Sequence, residues 1–266
     1  MVKADSGQPG VVQPLKGRTI LVTRARHQAA DLVALLAASG ARVIEAPVID
    51  ILDPASWVPA DEAIAHLDRY DIAVFTSANA AVRFHERLER VGRSIPSGGT
   101  PRLVAIGSAT ARCLAERGLT ARGVATVSRA EGVLKLLGET DLRGRRVLIP
   151  RATVAAETLP EGLRARGAIV DVVPVYRTVG LPIDEEVRLL LASGKVDLVT
   201  FASASAVCHL LAGIGGAGKL GGARVAVVGP VTALAARDAG LTPEIVAREA
   251  GMASLAEAIV SSYSSR

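Results

Sequence analysis

The chain has 266 residues, half of them hydrophobic but only 3% aromatic, and a net charge of +5. No run of five like charges and no basic segment interleaved with aromatics is present, which argues against nucleic acid as a partner. No apolar stretch reaches the roughly 20 residues needed to cross a bilayer, and two cysteines are too few for a disulfide scaffold. Cys113 and Cys208 read as small buried hydrophobes, and a cytoplasmic location is expected. The length exceeds what one core usually serves, so two domains are expected. Cores of Ala, Val, Leu and Ile suit helices packed on a buried parallel sheet.

Residues 1–16 are polar, carry Gly and Pro, and lack the apolar centre of a signal peptide, which predicts a flexible leader. Residues 19–22 predict a strand, and 29–38 a helix with Leu32, Leu35 and Leu36 on one face, stopped by Gly40. Residues 41–51 predict one strand containing Pro47. Proline cannot donate to a ladder, so an edge or a crossing ribbon is expected there. Further strands are predicted at 72–75, 103–106, 147–149, 168–178, 198–201 and 225–228, most followed by a small-residue turn and a helix. This alternation is the pattern of βα units on a parallel sheet. The strand at 168–178 carries Pro174. Gly213, Gly215 and Gly218 form a GxGxxG, but it follows a helix rather than a strand and so fails the context of a dinucleotide fingerprint. Residues 213–222 are expected to be a mobile loop.

The chain repeats itself. Residues 17–50 align without a gap on 144–177, an offset of 127 (144 − 17). DIAVFTSANAA at 71–81 returns as DLVTFASASAV at 197–207, and LVAIGSATARCLAERGL at 103–119 returns as VAVVGPVTALAARDAGL at 225–241. Two similar α/β halves predict a cleft between them, where ligands tend to bind.

In open parallel sheets ligands bind beyond the carboxyl ends of the strands. There stand Thr23 and Arg24, then Thr76, Ser77 and Asn79, then Gly107, Ser108 and Thr110 in one copy of the pattern, and Arg151, then Ser203 and Ser205, then Gly229 and Thr232 in the other. Each Ser or Thr reads equally well as a helix N-cap. Six such turns would present backbone N–H groups that favour anions. Asp68, Asp71 and Asp197 read as helix ends and strand starts. No His spacing fits a metal, and neither a phosphate-loop lysine nor a nucleophile elbow occurs. One position separates the copies: Ile49 corresponds to Tyr176, a phenol that either fills a domain boundary or donates a proton.

TILVTRAR, VFTSANAAVRF, LVAIGSATARCLAERGL, VDVVPVYRT, VTFASASAV and VAVVGPVTALAARDAGL, in this order, resemble the uroporphyrinogen-III synthase family from about Gly17 to Tyr263. The resemblance implies two flavodoxin-like (Rossmann-like) α/β domains, an internal duplication joined by a two-stranded ladder. Domain 1 would be discontinuous, 17–50 with 178–266. Domain 2 would be 51–177, with linker strands at about 44–52 and 169–178. The implied reaction closes hydroxymethylbilane, a linear tetrapyrrole with eight carboxylates, to uroporphyrinogen III with loss of water and inversion of ring D. It implies no metal and no organic cofactor, a cytoplasmic monomer, and at most a transient contact with the preceding pathway enzyme. Tyr176 matches the family's VYxT tyrosine and is the implied catalytic group. Thr110 and Thr232 match the G-x-x-T turns, Ser77 and Ser203 the FTS turns, and Arg24 the TR turn. Ala25 stands where proline is common, Ala202 replaces a threonine, and the loop after Arg151 lacks the usual glycine and arginine. A different class also fits the fold: a non-catalytic two-lobed binding or sensor protein for an anionic small molecule. A nucleotide-binding α/β enzyme is disfavoured by the missing phosphate loop.

Overall fold

A computed structural model describes residues 13–95, 99–127 and 129–264. The described elements begin β1 Thr19–Val22, α1 Arg26–Ala38, β2 Arg42–Glu45, β3 Ile49–Leu52, α2 Val58–Ala65, β4 Ile72–Phe75 and α3 Ala78–Arg90. They continue β5 Arg102–Ala105, α4 Ser108–Ala115, β6 Gly123–Val124, α5 Ala130–Leu136, β7 Arg146–Ala152, α6 Thr158–Arg164 and β8 Ile169–Gly180. The chain ends α7 Glu185–Ala192, β9 Leu198–Phe201, α8 Ala204–Ile214, β10 Arg224–Val227, α9 Pro230–Asp238, β11 Ile245–Val246 and α10 Met252–Ser264. It divides into two compact units, one holding the described residues up to Ile49 and those from Leu181 onward, the other Asp50–Gly180.

Each unit is built on a sheet that is parallel apart from the pairing of β3 with β8, its central strands buried on both faces. The first has strand order β11-β10-β9-β1-β2, the second β3-β8-β7-β4-β5-β6. Under the sequence repeat β1 corresponds to β7, β2 to β8, β9 to β4 and β10 to β5. That mapping turns one sheet order into the other, with β3 as an added strand. Alternation of side chains across the pleat explains the unbroken apolar runs. In β4, Ala73 and Phe75 enter one core while Ile72 and Val74 enter the other. In β1, Leu21 faces one core while Ile20 and Val22 face the opposite one.

The starts of the central strands are pinned the same way in both units. Asp197 accepts from Arg18 Nη1 at 2.9 Å and from the Thr19 N–H at 2.8 Å. Asp71 accepts from Arg145 Nη1 at 2.6 Å and from the Arg146 N–H at 2.9 Å. Burial by itself raises the Asp71 carboxyl, but these bonds outweigh it and hold it below the ordinary carboxylate range. Its contribution to stability is therefore present above the unfolded value near 4 and is lost as pH falls through the lowered one. Gly40 ends α1 at φ +92°, and a Cβ there would lie 2.8 Å from Gln13 Cβ. Gly167, its repeat partner, ends the α6 segment at φ +84°.

Four expectations need correction. Residues 1–12 of the expected leader lie outside the described residues, but 13–16 belong to the fold. Leu15 is fully buried, and its N–H bonds Ser39 O at 3.0 Å. Residues 41–51 are not one strand: β2 stops before Pro47, which has no N–H to offer, and β3 joins the other sheet. Residues 213–222 close α8 and form a 3₁₀ turn, Ala217–Leu220, that buries Leu220. Cys113 is buried as expected, but Cys208 is exposed on α8.

Candidate active site

β8 runs through Pro174 although it lies between β3 and β7 rather than at an edge. A bulge resolves the conflict. Arg151 pairs with Pro174 and Ala152 with Tyr176, so Val175 is an extra residue on β8. Bulges shift the alternation of side chains that follow them. Val173 and Val175 face one core, and Tyr176, which regular alternation would turn away, joins that same core. The repeat partners Ala46, Val48 and Ile49 show the same shift in their own unit.

The Tyr176 phenol is thereby held at the carboxyl end of the sheet. It is 8% exposed, and its hydroxyl lies 3.2 Å from Ser77 Oγ, with either atom able to donate. Ser77 opens α3 and accepts from the Ala80 N–H at 3.0 Å. The Tyr176 carbonyl accepts from Thr153 through N–H at 2.8 Å and Oγ1 at 3.2 Å. Burial pushes the Tyr176 phenol above its ordinary value, partly offset by Ser77. It is a neutral hydrogen-bond donor at physiological pH.

The remaining candidates in this unit are placed differently. Gly107 adopts φ +91° before α4, a conformation that favours glycine. Thr110, in the first turn of α4, is 3% exposed, with its hydroxyl 3.5 Å from Ile106 O. Asn79 is half-buried in the first turn of α3. Arg151 is buried, donates to Ala156 O at 2.9 Å, and is paired with the Glu157 carboxylate. Its charge is met within its own loop.

In the other unit Ser203 caps α8 as Ser77 caps α3, accepting from the Ala206 N–H at 3.2 Å, with Ser205 Oγ a further 3.2 Å away. Gly229 precedes Pro230 at the start of α9, and Thr232 is 4% exposed. Thr23 Oγ1 bonds Thr200 O at 2.7 Å, stitching β1 to β9. Arg24 follows immediately. Its Nε is buried without a partner among the described residues, and its Nη1 donates to Met252 Sδ at 3.5 Å. Burial lowers its pKa, opposed by the field of Asp31. The half-buried Arg24 guanidinium thus donates to a thioether, a weak acceptor.

Among the described residues no three His, Cys, Asp or Glu side chains are grouped to hold a metal ion, and no helix is long and apolar enough to cross a membrane. The chain matches the family model described as uroporphyrinogen-III synthase HemD over residues 30–257. It belongs to the uroporphyrinogen-III synthase family. A synthase of this name from Synechococcus elongatus is 33% identical over 248 residues, covering 89% of this chain and 92% of its own length. One from Chlorobaculum parvum is 25% identical over 245 residues, covering 91% and 98%. The crystal structure of a mutant uroporphyrinogen III synthase from Thermus thermophilus gives a TM-score of 0.69 at 21% identity, over 94% of this chain and 100% of that one. That last likeness is one of fold.

Within this synthase fold, the Ser77 contact of Tyr176 joins residues 99 positions apart, and no spacing in the sequence signals it. The Glu157 partner of Arg151 is six positions away, so its acidic side chain in the same short loop was a readable signal. Removing an N-cap hydroxyl typically costs about 0.5–2 kcal/mol. Ser77→Ala and Ser203→Ala are therefore expected to lower unfolding stability by amounts within that range, measured by urea denaturation. Unchanged midpoints in both would show that neither cap contributes.

Proposed function

We propose that the protein is a uroporphyrinogen-III synthase that closes hydroxymethylbilane, losing water and inverting ring D. The observation that carries this reading, beside the family, is the bulge that turns Tyr176 toward Ser77 at a strand end. Loss of the terminal hydroxyl leaves a cation stabilised by the pyrrole nitrogen. Attack through a spiro intermediate then inverts ring D, and a proton is lost on closure. The Tyr176 phenol hydrogen-bonds the departing hydroxyl as it takes up its proton to leave as water. Arg24 receives a substrate carboxylate, and the helix-opening turns at Ser77, Asn79, Gly107, Ser203, Ser205 and Gly229 offer backbone N–H groups to others. Buried Thr110 and Thr232 act by shaping their turns. Arg151, already paired with Glu157, holds its loop. Because the bilane also closes spontaneously without inversion, positioning and electrostatics supply most of the catalysis. The reading also makes the protein a cytoplasmic monomer with no resident cofactor.

Turnover separates this enzyme from a binding protein for the same anion. With bilane in large excess, a catalytic amount of protein is expected to consume all of it faster than the buffer control. Protection of one equivalent per chain, with the remainder closing at the uncatalysed rate, would favour the binding protein.

A further inference from the structure

A cavity of about 450 Å³ in the Asp50–Gly180 unit lies at the opposite end of the strands from Tyr176. Arg146 is the first residue of β7, Tyr70 precedes β4, and Asp171 lies on β8 five residues before Tyr176, roughly 16 Å along an extended strand. Arg69, Arg146 and Arg164 all line it, against the two carboxylates of Glu62 and Asp171. Asp171 is already engaged. It accepts from Tyr70 OH at 2.9 Å and from Arg146 Nη2 at 3.0 Å. Burial and the bond to Asp171 push the Tyr70 phenol up to about 12, so it remains a donor at neutral pH.

The other two guanidiniums are not neutralised. Arg164 donates only to Val170 O at 3.2 Å, and the Arg69 side chain has no hydrogen bond or ion pair among the described residues. Arg146 Nε is buried with no acceptor among the described residues, while its Nη2 is held by Asp171. Ala63 and Val172 add apolar wall, and the volume falls in the range of small-molecule sites.

We propose that this cavity binds a small organic dicarboxylate, its two acidic groups on Arg69 and Arg164 and its short apolar body against the wall. The site is separate from the synthase reaction, and its test uses no activity. Phthalate, a flat dicarboxylate, is titrated into the intact protein by calorimetry. Saturable binding with a Kd below about 1 mM is expected, weakened on the order of tenfold or more by Arg69→Ser and by Arg164→Ser, as fits loss of a charge-assisted bond. Arg69→Ser removes no bond of the fold, so its effect reads the charge alone. No saturation up to about 10 mM, or wild-type affinity in both variants, would overturn the proposal.

Discussion

Replacing Tyr176 by Phe is expected to slow formation of isomer III by roughly 10²- to 10⁴-fold, the usual contribution of a positioned proton donor. The substitution removes one oxygen from a side chain that is 8% exposed and leaves the ring in its core. Stability should change little, because the hydroxyl has one partner, Ser77, and a typical hydrogen bond is worth about 0.5–1.5 kcal/mol net. Inversion of ring D is expected to persist in the residual product, since the folded conformer is held by many contacts. Burial raises this phenol above its ordinary value near 10, so the donor remains protonated across the neutral range. Its share of the rate should be flat with pH and fall only above about 10. The same raised pKa stabilises the fold below the unfolded value, and that contribution is lost as pH rises through the folded one. A Tyr176→Phe protein with normal unfolding and undiminished turnover would return the residue to a packing role.

Arg24→Ala is expected to raise the apparent KM for the bilane by about 10- to 100-fold, the loss of one charge-assisted bond of about 1.5–3 kcal/mol. The maximal rate should change less, because a carboxylate contact remote from the reacting carbon is made equally in ground and transition states. Stability should move the other way. In the free protein this half-buried guanidinium donates to a thioether and its Nε has no partner among the described residues, so removing it relieves a desolvation cost that the field of Asp31 offsets only in part. A variant that unfolds at a higher temperature yet needs more substrate would mark Arg24 as held for a ligand. Wild-type KM in Arg24→Ala would move the carboxylate contact elsewhere.

Much of the architecture was readable because it was written twice. The offset of 127 pairs β1 with β7 and β2 with β8, offsets of 126 and 122 pair β4 with β9 and β5 with β10, and under that mapping the two sheets share one strand order. The duplication reaches the details: Asp71 and Asp197 pin strand starts through equivalent bonds, and Ser77 and Ser203 cap equivalent helices. The prolines were read correctly as breaks in pairing and incorrectly in their consequence. Pro47 ends a strand, whereas Pro174 is accommodated inside one by a bulge, because Val175 takes up the extra residue. Local composition does not distinguish those outcomes. The candidate site was harder to read. Whether Tyr176 meets Ser77 depends on a contact made only after the chain has folded, whereas the Glu157 partner of Arg151 stood six positions away in the same loop. Arg24 was legible as a strand-end cation, but its contact with the Met252 thioether was not. Leu15 was hidden by its polar neighbours, since a single apolar residue has no period to reveal it.

The most direct measurement is the isomer ratio formed from freshly prepared hydroxymethylbilane, read by chromatographic separation of the oxidised products over a range of protein concentrations. The account predicts that isomer III rises with protein until it replaces isomer I almost completely. Isomer I alone, forming at the uncatalysed rate at every protein concentration, would contradict it.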